Sequence, residues 1–400
     1  MDINDIQKKL NSVNWNFDFT INYDSDMIRP FNCRKYYSYP ATFIPEIPYT
    51  LIEILSKKGD VVLDPYGGIG TTFMQAISLE RIPFSYDINP ISTNVCENLY
   101  RLFNPNFRRE EVKNQLLDFC CDYDENQKYR NLLTEYQGEL SDWFEKNTFN
   151  ELAFLINRYE NTQDDSIRIV LGLVLPSILT KLSSQNKGWA YIADNVKPKS
   201  DELRQKSVFD QYKSAVKALL GDVENQLRNL ADTYPSFYQS LTGSQRVVAN
   251  SIINSNLENE SIDLIITSPP YPRMIDYVKS QRLSFYFSEL NFRDYVESET
   301  GARYRRSRQD TLTKYEEQIV DVNIKMLDLL KRGGFLCMVL PDYNSDDNRK
   351  TVMGKIVKWY SENGLIEICK IGRYIPSHKR TLSIQWASLV NEHLYIFQKG

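Results

Sequence analysis

A glycine-rich stretch, Asp64–Thr72, has the sequence DPYGGIGTT and lies between a short apolar run and a segment with helical spacing. Glycines in a strand-to-helix turn let the backbone approach a ligand closely. The stretch lacks both the GxGxxG pattern of dinucleotide sites and the lysine of a P-loop, which disfavours a phosphate ligand. Asp87 ends the next apolar run, where a carboxylate can hydrogen-bond both hydroxyls of a ribose. The pattern favours an adenosine-type cofactor without a pyrophosphate, and a plain tight turn is the alternative.

A second candidate site, Thr267–Tyr271, has the sequence TSPPY and follows an apolar run. Two successive prolines fix the backbone and donate no N–H, so their carbonyls are free to point into a pocket. The Ser268 hydroxyl can accept a hydrogen bond from an amine, and the Tyr271 ring offers a face for a planar base. A rigid loop without chemistry is the alternative.

Both stretches follow predicted strands, so the elements around them decide whether they meet. We predict strands at Val61–Asp64, Pro83–Asp87 and Ser261–Thr267, and a helix that begins at Thr71. Further predicted elements are a helix over 315–334 with a glycine stop at Gly333–Gly334, a strand over 335–342, a helix over 354–364, and closing strands over 365–375 and 387–399. Strands that alternate with helices predict an α/β fold with a doubly wound, mostly parallel, Rossmann-like sheet.

The middle of the chain differs in composition. Residues 107–245 contain many Leu, Lys, Glu, Gln and Asn residues and few glycines, and two stretches, Ile167–Leu182 and Lys213–Tyr234, have helical spacing. We predict a mostly helical insertion between two halves of one α/β domain, residues 1–106 and 246–400. An independent substrate-binding lobe and a helical buttress both fit this pattern.

Composition excludes several classes of protein. The 400 residues are 42% hydrophobic with a net charge of −4, which fits a globular chain and gives no overall basic excess. No apolar run reaches the roughly 18–20 residues of a membrane span, and the first residues lack an apolar signal region. Six scattered cysteines without a CxxC pair and only two histidines disfavour disulfides and a metal site. We expect a cytoplasmic protein without a metal.

Taken together, the two motifs resemble those of S-adenosylmethionine-dependent DNA amino-methyltransferases. DPYGGIGTT resembles the D-P-F-x-G-x-G-T-T cofactor loop of that family, and TSPPY resembles its [DNS]-P-P-[YF] catalytic loop. The segment 36–55 is similar to the family's H-P-A-x-F-x-P-E-L segment, with Tyr39 where a histidine is common. Asp276-Tyr277 and Arg282-Leu283 add to a resemblance that covers residues 36–95 and 246–398.

The resemblance implies a seven-stranded methyltransferase sheet and a set of site residues. The implied catalytic residues are Ser268, Pro269, Pro270 and Tyr271, with the Ser268 hydroxyl and the Pro269 carbonyl accepting the two amine hydrogens and Tyr271 stacking on a flipped base. Asn250 stands where the family often has an acidic residue for the adenine, and Tyr66 replaces a phenylalanine. The implied cofactor-binding residues are Phe43, Asp64, Pro65, Tyr66, Gly67, Gly68, Gly70, Thr71, Thr72, Asp87, Ile88 and Asn250.

The target base is inferred from the first residue of the catalytic loop. By resemblance, a serine there is typical of enzymes that make N4-methylcytosine, whereas adenine enzymes mostly carry Asp or Asn. Methylation at carbon 5 of cytosine needs a thiolate, usually in a Pro-Cys pair, and no Pro-Cys pair occurs. We therefore expect cytosine N4 as the target, with adenine N6 as the alternative.

Basic residues indicate where double-stranded DNA would lie. A dense run that follows the catalytic loop suits phosphate contacts, and a second cluster precedes the last strand. The insertion is the expected reader of the DNA sequence, with Lys187–Trp189 and Lys197–Lys199 as candidate loops. The predicted DNA-binding residues are Arg303, Arg305, Arg306, Arg308, Lys379 and Arg380.

Other functions stay open at this point. An RNA amino-methyltransferase would use the same catalytic loop, a scaffold on this fold would need no cofactor, and a small-molecule enzyme leaves the arginine run unexplained. A DNA enzyme of this kind is expected to serve in a restriction-modification system, beside a cognate restriction endonuclease.

Overall fold

The computed structural model describes residues 2–17, 31–40, 42, 44–104, 106–185, 197–233, 246–302, 310–343, 347–375 and 391–400. Seven strands within these ranges form one sheet in the order β3-β2-β1-β4-β5-β7-β6. The strands are β1 (Val61–Asp64), β2 (Ile82–Asp87), β3 (Arg246–Ala249), β4 (Ile262–Thr267), β5 (Leu330–Asp342), β6 (Leu365–Tyr374) and β7 (Asn391–Lys399). The strands β1 to β5 pair in parallel, while β7 runs antiparallel to both β5 and β6. This confirms the predicted α/β, mostly parallel sheet.

The strand order reverses between β1 and β4, which pair directly, with Leu63 opposite Ile265. From β1 the chain builds outward through β2 and β3, and from β4 it builds the opposite way through β5. A crevice opens at such a switch point, beyond the carboxyl ends of the strands. The two predicted motifs follow β1 and β4, so the topology brings both of them to this crevice.

Helices cover both faces of the sheet. They are α1 (Ile3–Ser12), α2 (Glu46–Leu55), α3 (Thr71–Ser78), α4 (Pro90–Leu102), α5 (Arg109–Asp118), α6 (Glu135–Gly138), α7 (Lys146–Asn161), α8 (Asp165–Leu182), α9 (Val208–Thr233), α10 (Arg282–Phe287), α11 (Phe292–Val296), α12 (Thr311–Leu329) and α13 (Asn348–Glu362). Short 3-10 helices lie at Cys33–Lys35, Phe119–Asp122, Tyr129–Leu132, Glu139–Trp143, Ser200–Glu202, Ile252–Asn254 and Lys279–Gln281. No helix in the described ranges is both long and apolar enough to cross a bilayer.

The predicted glycine stop of the helix before β5 is wrong. Helix α12 ends at Leu329, and β5 begins at the next residue, so Gly333 and Gly334 lie inside the strand. The pairing of β4 with β5 shifts register at this point, between Ile262 and Leu264. A β-carbon on Gly334 would lie 2.9 Å from the Asp263 carbonyl oxygen, so the glycine serves a close strand contact instead of a helix cap.

The described helices of segment 107–245 pack into the same core as residues 1–106, which carry the glycine turn and are called the cofactor half below after their predicted role. Buried residues of α8 and α9, such as Leu171 and Val216, belong to one hydrophobic cluster with Ile69 and Phe73 of the glycine turn and α3. Phe285 of α10 belongs to that cluster too. Pro176 lies inside α8 without ending it. The described part of the insertion is therefore continuous with the α/β core.

Candidate cofactor and substrate site

A cavity of about 540 Å³ opens at the carboxyl ends of β1, β2 and β4. It unites the two predicted motifs, because Tyr66, Gly68 and Asp87 line it together with Ser268 and Pro270. The other residues that line it are Tyr39, Thr42, Pro65, Gly67, Ile69, Thr71, Ile88, Asn89, Ala249, Asn250, Ser251, Ile253, Asn254, Tyr277, Val278, Asp294, Tyr295, Ser298, Glu299, Thr300, Gln318, Asp321 and Val322.

The glycine turn has no room for side chains at two of its glycines. A β-carbon on Gly67 would lie 1.9 Å from the Ser85 Oγ, and one on Gly70 would lie 2.3 Å from the Cys96 Sγ. Gly70 also has a φ of +88°, a conformation that favours glycine. Close packing against β2 and α4 therefore fixes the turn, and its bare backbone faces the cavity.

Asp87 holds the turn from the end of β2. Its Oδ2 accepts a hydrogen bond from the Gly68 amide at 2.9 Å, and its Oδ1 accepts one from the Asn89 amide at 2.8 Å. Burial raises the pKa of Asp87, and these two hydrogen bonds oppose the rise. The carboxylate lines the cavity and keeps free lone pairs, since each oxygen can accept more than one hydrogen bond.

Asp64 lies behind the turn and is only 2% exposed. Its Oδ2 accepts from the Thr72 hydroxyl at 2.7 Å, and its Oδ1 accepts from the Thr267 hydroxyl at 3.0 Å and from the Tyr66 amide at 3.1 Å. Burial raises its pKa to about 6. Asp64 thus joins β1, α3 and the end of β4, and it is not among the residues that line the cavity.

The predicted catalytic loop, Ser268–Tyr271, presents Ser268 and Pro270 to the cavity. The Tyr271 side chain is buried, and its hydroxyl donates to Glu392 Oε1 at 3.0 Å, while the Ser268 hydroxyl donates to Tyr271 at 3.5 Å. Neither Pro269 nor Tyr271 is among the lining residues. Two other tyrosines, Tyr277 and Tyr295, do line the cavity.

The first quarter of the chain matches a known family. Residues 6–97 match the family model described as DNA methylase, of the N6/N4 type. Over these residues, the chain is similar to the N6/N4 DNA methylase family. The match contains the whole glycine turn and Asp87.

More distant relatives extend the similarity along the chain. It is 26% identical over 261 residues to the type II methyltransferase M.BsoBI of Geobacillus stearothermophilus, which covers 61% of this chain and 50% of that protein. It is 20% identical over 385 residues to M.MjaII of Methanocaldococcus jannaschii (76% of this chain, 71% of that protein) and 20% identical over 309 residues to M.MvaI of Kocuria varians (73% and 64%). The chain thus spans half the length of M.BsoBI.

The cofactor-binding residues predicted from the sequence fall into two groups in the structure. One group lines the cavity: Pro65, Tyr66, Gly67, Gly68, Thr71, Asp87, Ile88 and Asn250. The other group, Asp64, Gly70 and Thr72, supports the turn from behind. The oxygen of the Asn250 amide already accepts hydrogen bonds from the Ser251 amide at 2.8 Å and from Asn254 at 2.9 Å.

Several predicted residues lie outside the described ranges of the chain. They are Phe43, the four arginines Arg303, Arg305, Arg306 and Arg308, the pair Lys379 and Arg380, and the loop Lys187–Trp189. Their roles stay predictions.

The sequence did not predict the acidic side of this cavity. Asp294, Glu299 and Asp321 line it in addition to Asp87, and burial raises the pKa of Glu299 to about 8 although the Tyr277 and Val278 amides donate to its carboxylate. No lysine, arginine or histidine is among the described residues that line it. Asp294 lies in α11, Glu299 in the loop after it and Asp321 in α12, all of them beyond the TSPPY motif in the chain, and no local pattern marks them.

Proposed function

We propose that this protein transfers the methyl group of S-adenosylmethionine to the exocyclic amine of a base in double-stranded DNA, with cytosine N4 as the target. The observation that carries this proposal is the single cavity that joins the glycine turn and Asp87 to Ser268 and Pro270. A donor held at the first set of residues would meet an amine held at the second, which is catalysis by proximity and orientation.

The residues at the turn fit S-adenosylmethionine. Gly67 and Gly68 line the cavity with backbone that carries no side chain, and Asp87 offers acceptors for a ribose. The other carboxylates suit a ligand with a sulfonium and an ammonium group. A phosphorylated cofactor would find no described basic residue in the lining. When bound, S-adenosylmethionine supplies an electrophilic methyl group.

The chain's own contribution to the chemistry is to hold the amine. The lone pair of a cytosine or adenine amine is delocalised into the ring, so the nitrogen is a weak nucleophile. The Ser268 hydroxyl and the Pro269 carbonyl would accept its two hydrogens and favour a pyramidal nitrogen, as the transition state requires. Proton loss after methyl transfer needs no strong general base.

Cytosine N4 is preferred to adenine N6 because of Ser268 in the first position of the loop. The base would be flipped into the cavity, since its amine cannot be reached within a duplex. The resemblance predicts that Tyr271 stacks on it, but the Tyr271 side chain is buried and its hydroxyl donates a hydrogen bond to Glu392, whereas Tyr277 and Tyr295 line the cavity. We therefore propose that Tyr277 or Tyr295 offers the stacking face in this conformation.

DNA binding rests on the basic segments. We propose that Arg303, Arg305, Arg306, Arg308, Lys379 and Arg380 contact phosphates, which would raise affinity without reading sequence. The insertion, residues 107–245, is the proposed reader of the sequence. A cognate restriction endonuclease stays the partner predicted from the resemblance.

Nucleoside mass spectrometry tests the proposal. Duplex DNA is incubated with the protein and methyl-labelled S-adenosylmethionine, with Ser268→Ala as the variant and Ser261→Ala, at the opposite end of β4, as the matched control. We expect labelled N4-methylcytosine with the wild type and the control, and at least a hundredfold less with Ser268→Ala. Labelled N6-methyladenine would correct the base and keep the enzyme.

An absence of label in DNA would contradict the proposal and direct the same assay to RNA. If RNA also stays unlabelled, cofactor binding by calorimetry with Asp87→Ala separates a scaffold from an enzyme, because a scaffold need not bind S-adenosylmethionine.

A further inference from the structure

A chain of polar contacts leads from the hairpin of β6 and β7 to the catalytic loop. Arg373 Nη1 donates to Glu392 Oε2 at 2.7 Å, Tyr271 donates from its hydroxyl to Glu392 Oε1 at 3.0 Å, and Ser268 donates to the Tyr271 hydroxyl oxygen at 3.5 Å. Arg373 and Glu392 stand directly opposite each other in the pairing of β6 with β7. The contacts therefore connect Ser268, which lines the cavity, to β6 and β7 at one edge of the sheet.

Three of the four side chains in this series of hydrogen bonds are buried. Arg373, Glu392 and Tyr271 are 7%, 8% and 9% exposed. A buried ion pair is costly to desolvate and adds little net stability compared with apolar residues of the same size. Its presence beside the catalytic loop thus calls for a role other than stabilising the fold.

The chemistry of each group sets the direction of every hydrogen bond. Arg373 only donates, and an ionised carboxylate only accepts, so the Tyr271 hydroxyl must donate its one hydrogen to Glu392. The Tyr271 oxygen can then only accept, and it accepts from Ser268. Burial beside Glu392 raises the pKa of Tyr271 well above its ordinary value, so the hydroxyl keeps the proton that it donates.

We propose that Arg373, Glu392 and Tyr271 turn the Ser268 hydroxyl into a fixed hydrogen-bond acceptor toward the cavity. With its hydrogen committed to Tyr271, the serine presents only lone pairs to a ligand. An exocyclic amine, which donates, is accepted there, whereas a carbonyl such as the O4 of uracil or thymine would face two lone pairs without a hydrogen. This inference rests on the proposed function and assigns Glu392 and Arg373 as positioning residues for it.

A double-mutant cycle tests the role in catalysis. Tyr271→Phe removes the hydroxyl and keeps the ring, while Glu392→Gln replaces an obligate acceptor by a group that can also donate. We expect each to lower kcat at least about tenfold with an unchanged affinity for S-adenosylmethionine. Because Glu392 acts only through the Tyr271 hydroxyl, the double variant should lose no more than Tyr271→Phe does.

The control is Tyr360→Phe. It removes a buried hydroxyl that donates a hydrogen bond to Asn323, and neither residue lines the cavity. It should lose stability and keep its kcat. Multiplied losses in the double variant, or equal losses of kcat and cofactor affinity, would mean that Glu392 and Arg373 only hold the fold together and would overturn the inference.

A second measurement reads the hydrogen-bond direction without methyl transfer. The infrared C–O stretch of ring-labelled tyrosine differs between a phenol that only donates and one that both donates and accepts, and subtracting the Tyr271→Phe spectrum isolates Tyr271 among the 26 tyrosines. We expect the wild-type band of a donor and acceptor, which Ser268→Ala shifts to that of a donor alone. An unshifted band would overturn the inference.

The two experiments separate this inference from the proposed function. A wild type that labels no DNA but gives the expected infrared shift would refute the proposed function and leave the assigned direction of the hydrogen bonds in place. A wild type that labels DNA but shows no infrared shift would support the proposed function and refute the assigned direction of the hydrogen bonds.

Discussion

Asp64 carries a charge that the fold buries, and this should appear in the pH dependence of stability. Its pKa rises to about 6 in the folded chain, above the ordinary value of 3.8. The folded state then binds the proton more tightly than the unfolded state, so the free energy of unfolding falls as the pH rises from about 4 to about 6. The fall from this one group is about 3 kcal/mol.

Asp64→Asn should remove that fall. An amide oxygen can still accept from Tyr66 and Thr267, and its NH2 can donate to the Thr72 hydroxyl, which is able to accept. Urea unfolding between pH 4 and 7 measures the difference from the wild type, and Asp118→Asn, which changes an exposed carboxyl on α5, is the control. A wild-type slope retained in Asp64→Asn would show that another group is responsible.

The same residue marks a limit of inference from sequence. Its position at the end of a strand predicted a role at the turn, and Thr72, eight residues on, was a foreseeable partner. Thr267 lies 203 residues away, and only the pairing of β1 with β4 brings it to Asp64. The sequence could predict that a carboxylate belongs here but not that it lies outside the lining of the cavity.

At the scale of elements, the glycine turn is a contact surface between β1, α3 and α4. Gly70 and Gly59 both have a positive φ, of +88° and +83°. They differ in their surroundings, because a β-carbon added to Gly59 would meet no atom within 4 Å. Gly59→Ala should therefore cost only the backbone strain, about 1 kcal/mol. Gly70→Ala carries the same strain plus a clash with Cys96.

We expect Gly70→Ala to lose about 3 kcal/mol of unfolding free energy and most of its affinity for S-adenosylmethionine, as measured by urea unfolding and calorimetry. The clash is relieved only if α4 moves away from the turn. Equal losses in the two alanine variants would mean that strain alone, without the contact to α4, accounts for the effect.

The strands and helices that periodicity predicted are present, whereas β3 was not predicted and the end of α12 was predicted wrongly. A glycine pair after an amphipathic run is typical of a helix stop, yet β5 begins four residues before Gly334. The register shift against β4 and the closeness of the Asp263 carbonyl require that glycine. Both constraints come from a strand some seventy residues earlier, so no local pattern contains them.

At the scale of the whole molecule, the insertion and the cofactor half share a hydrophobic core. Leu171 of α8 and Phe73 of α3 belong to the same buried cluster, and Gln137 of α6 donates to the Phe287 carbonyl at 3.3 Å. Chains of this size often unfold in several steps. A shared core predicts instead that the described insertion helices and the cofactor turn unfold as one unit.

Leu171→Ala, at a site with 0% exposure in the insertion, should therefore weaken the cofactor half as well. We expect a loss of about 2–5 kcal/mol, with the amides of α9 and of β2 exchanging through the same opening in hydrogen-exchange measurements under denaturant. Leu132→Ala, in the same segment but 52% exposed, should change neither. The proposed cofactor, S-adenosylmethionine, would bind only the folded state, so its addition should slow exchange in α9 as much as in β2. If α9 instead opens at a lower denaturant concentration and ignores the cofactor, the insertion is a separate folding unit, and the coupling expected from the common core is absent.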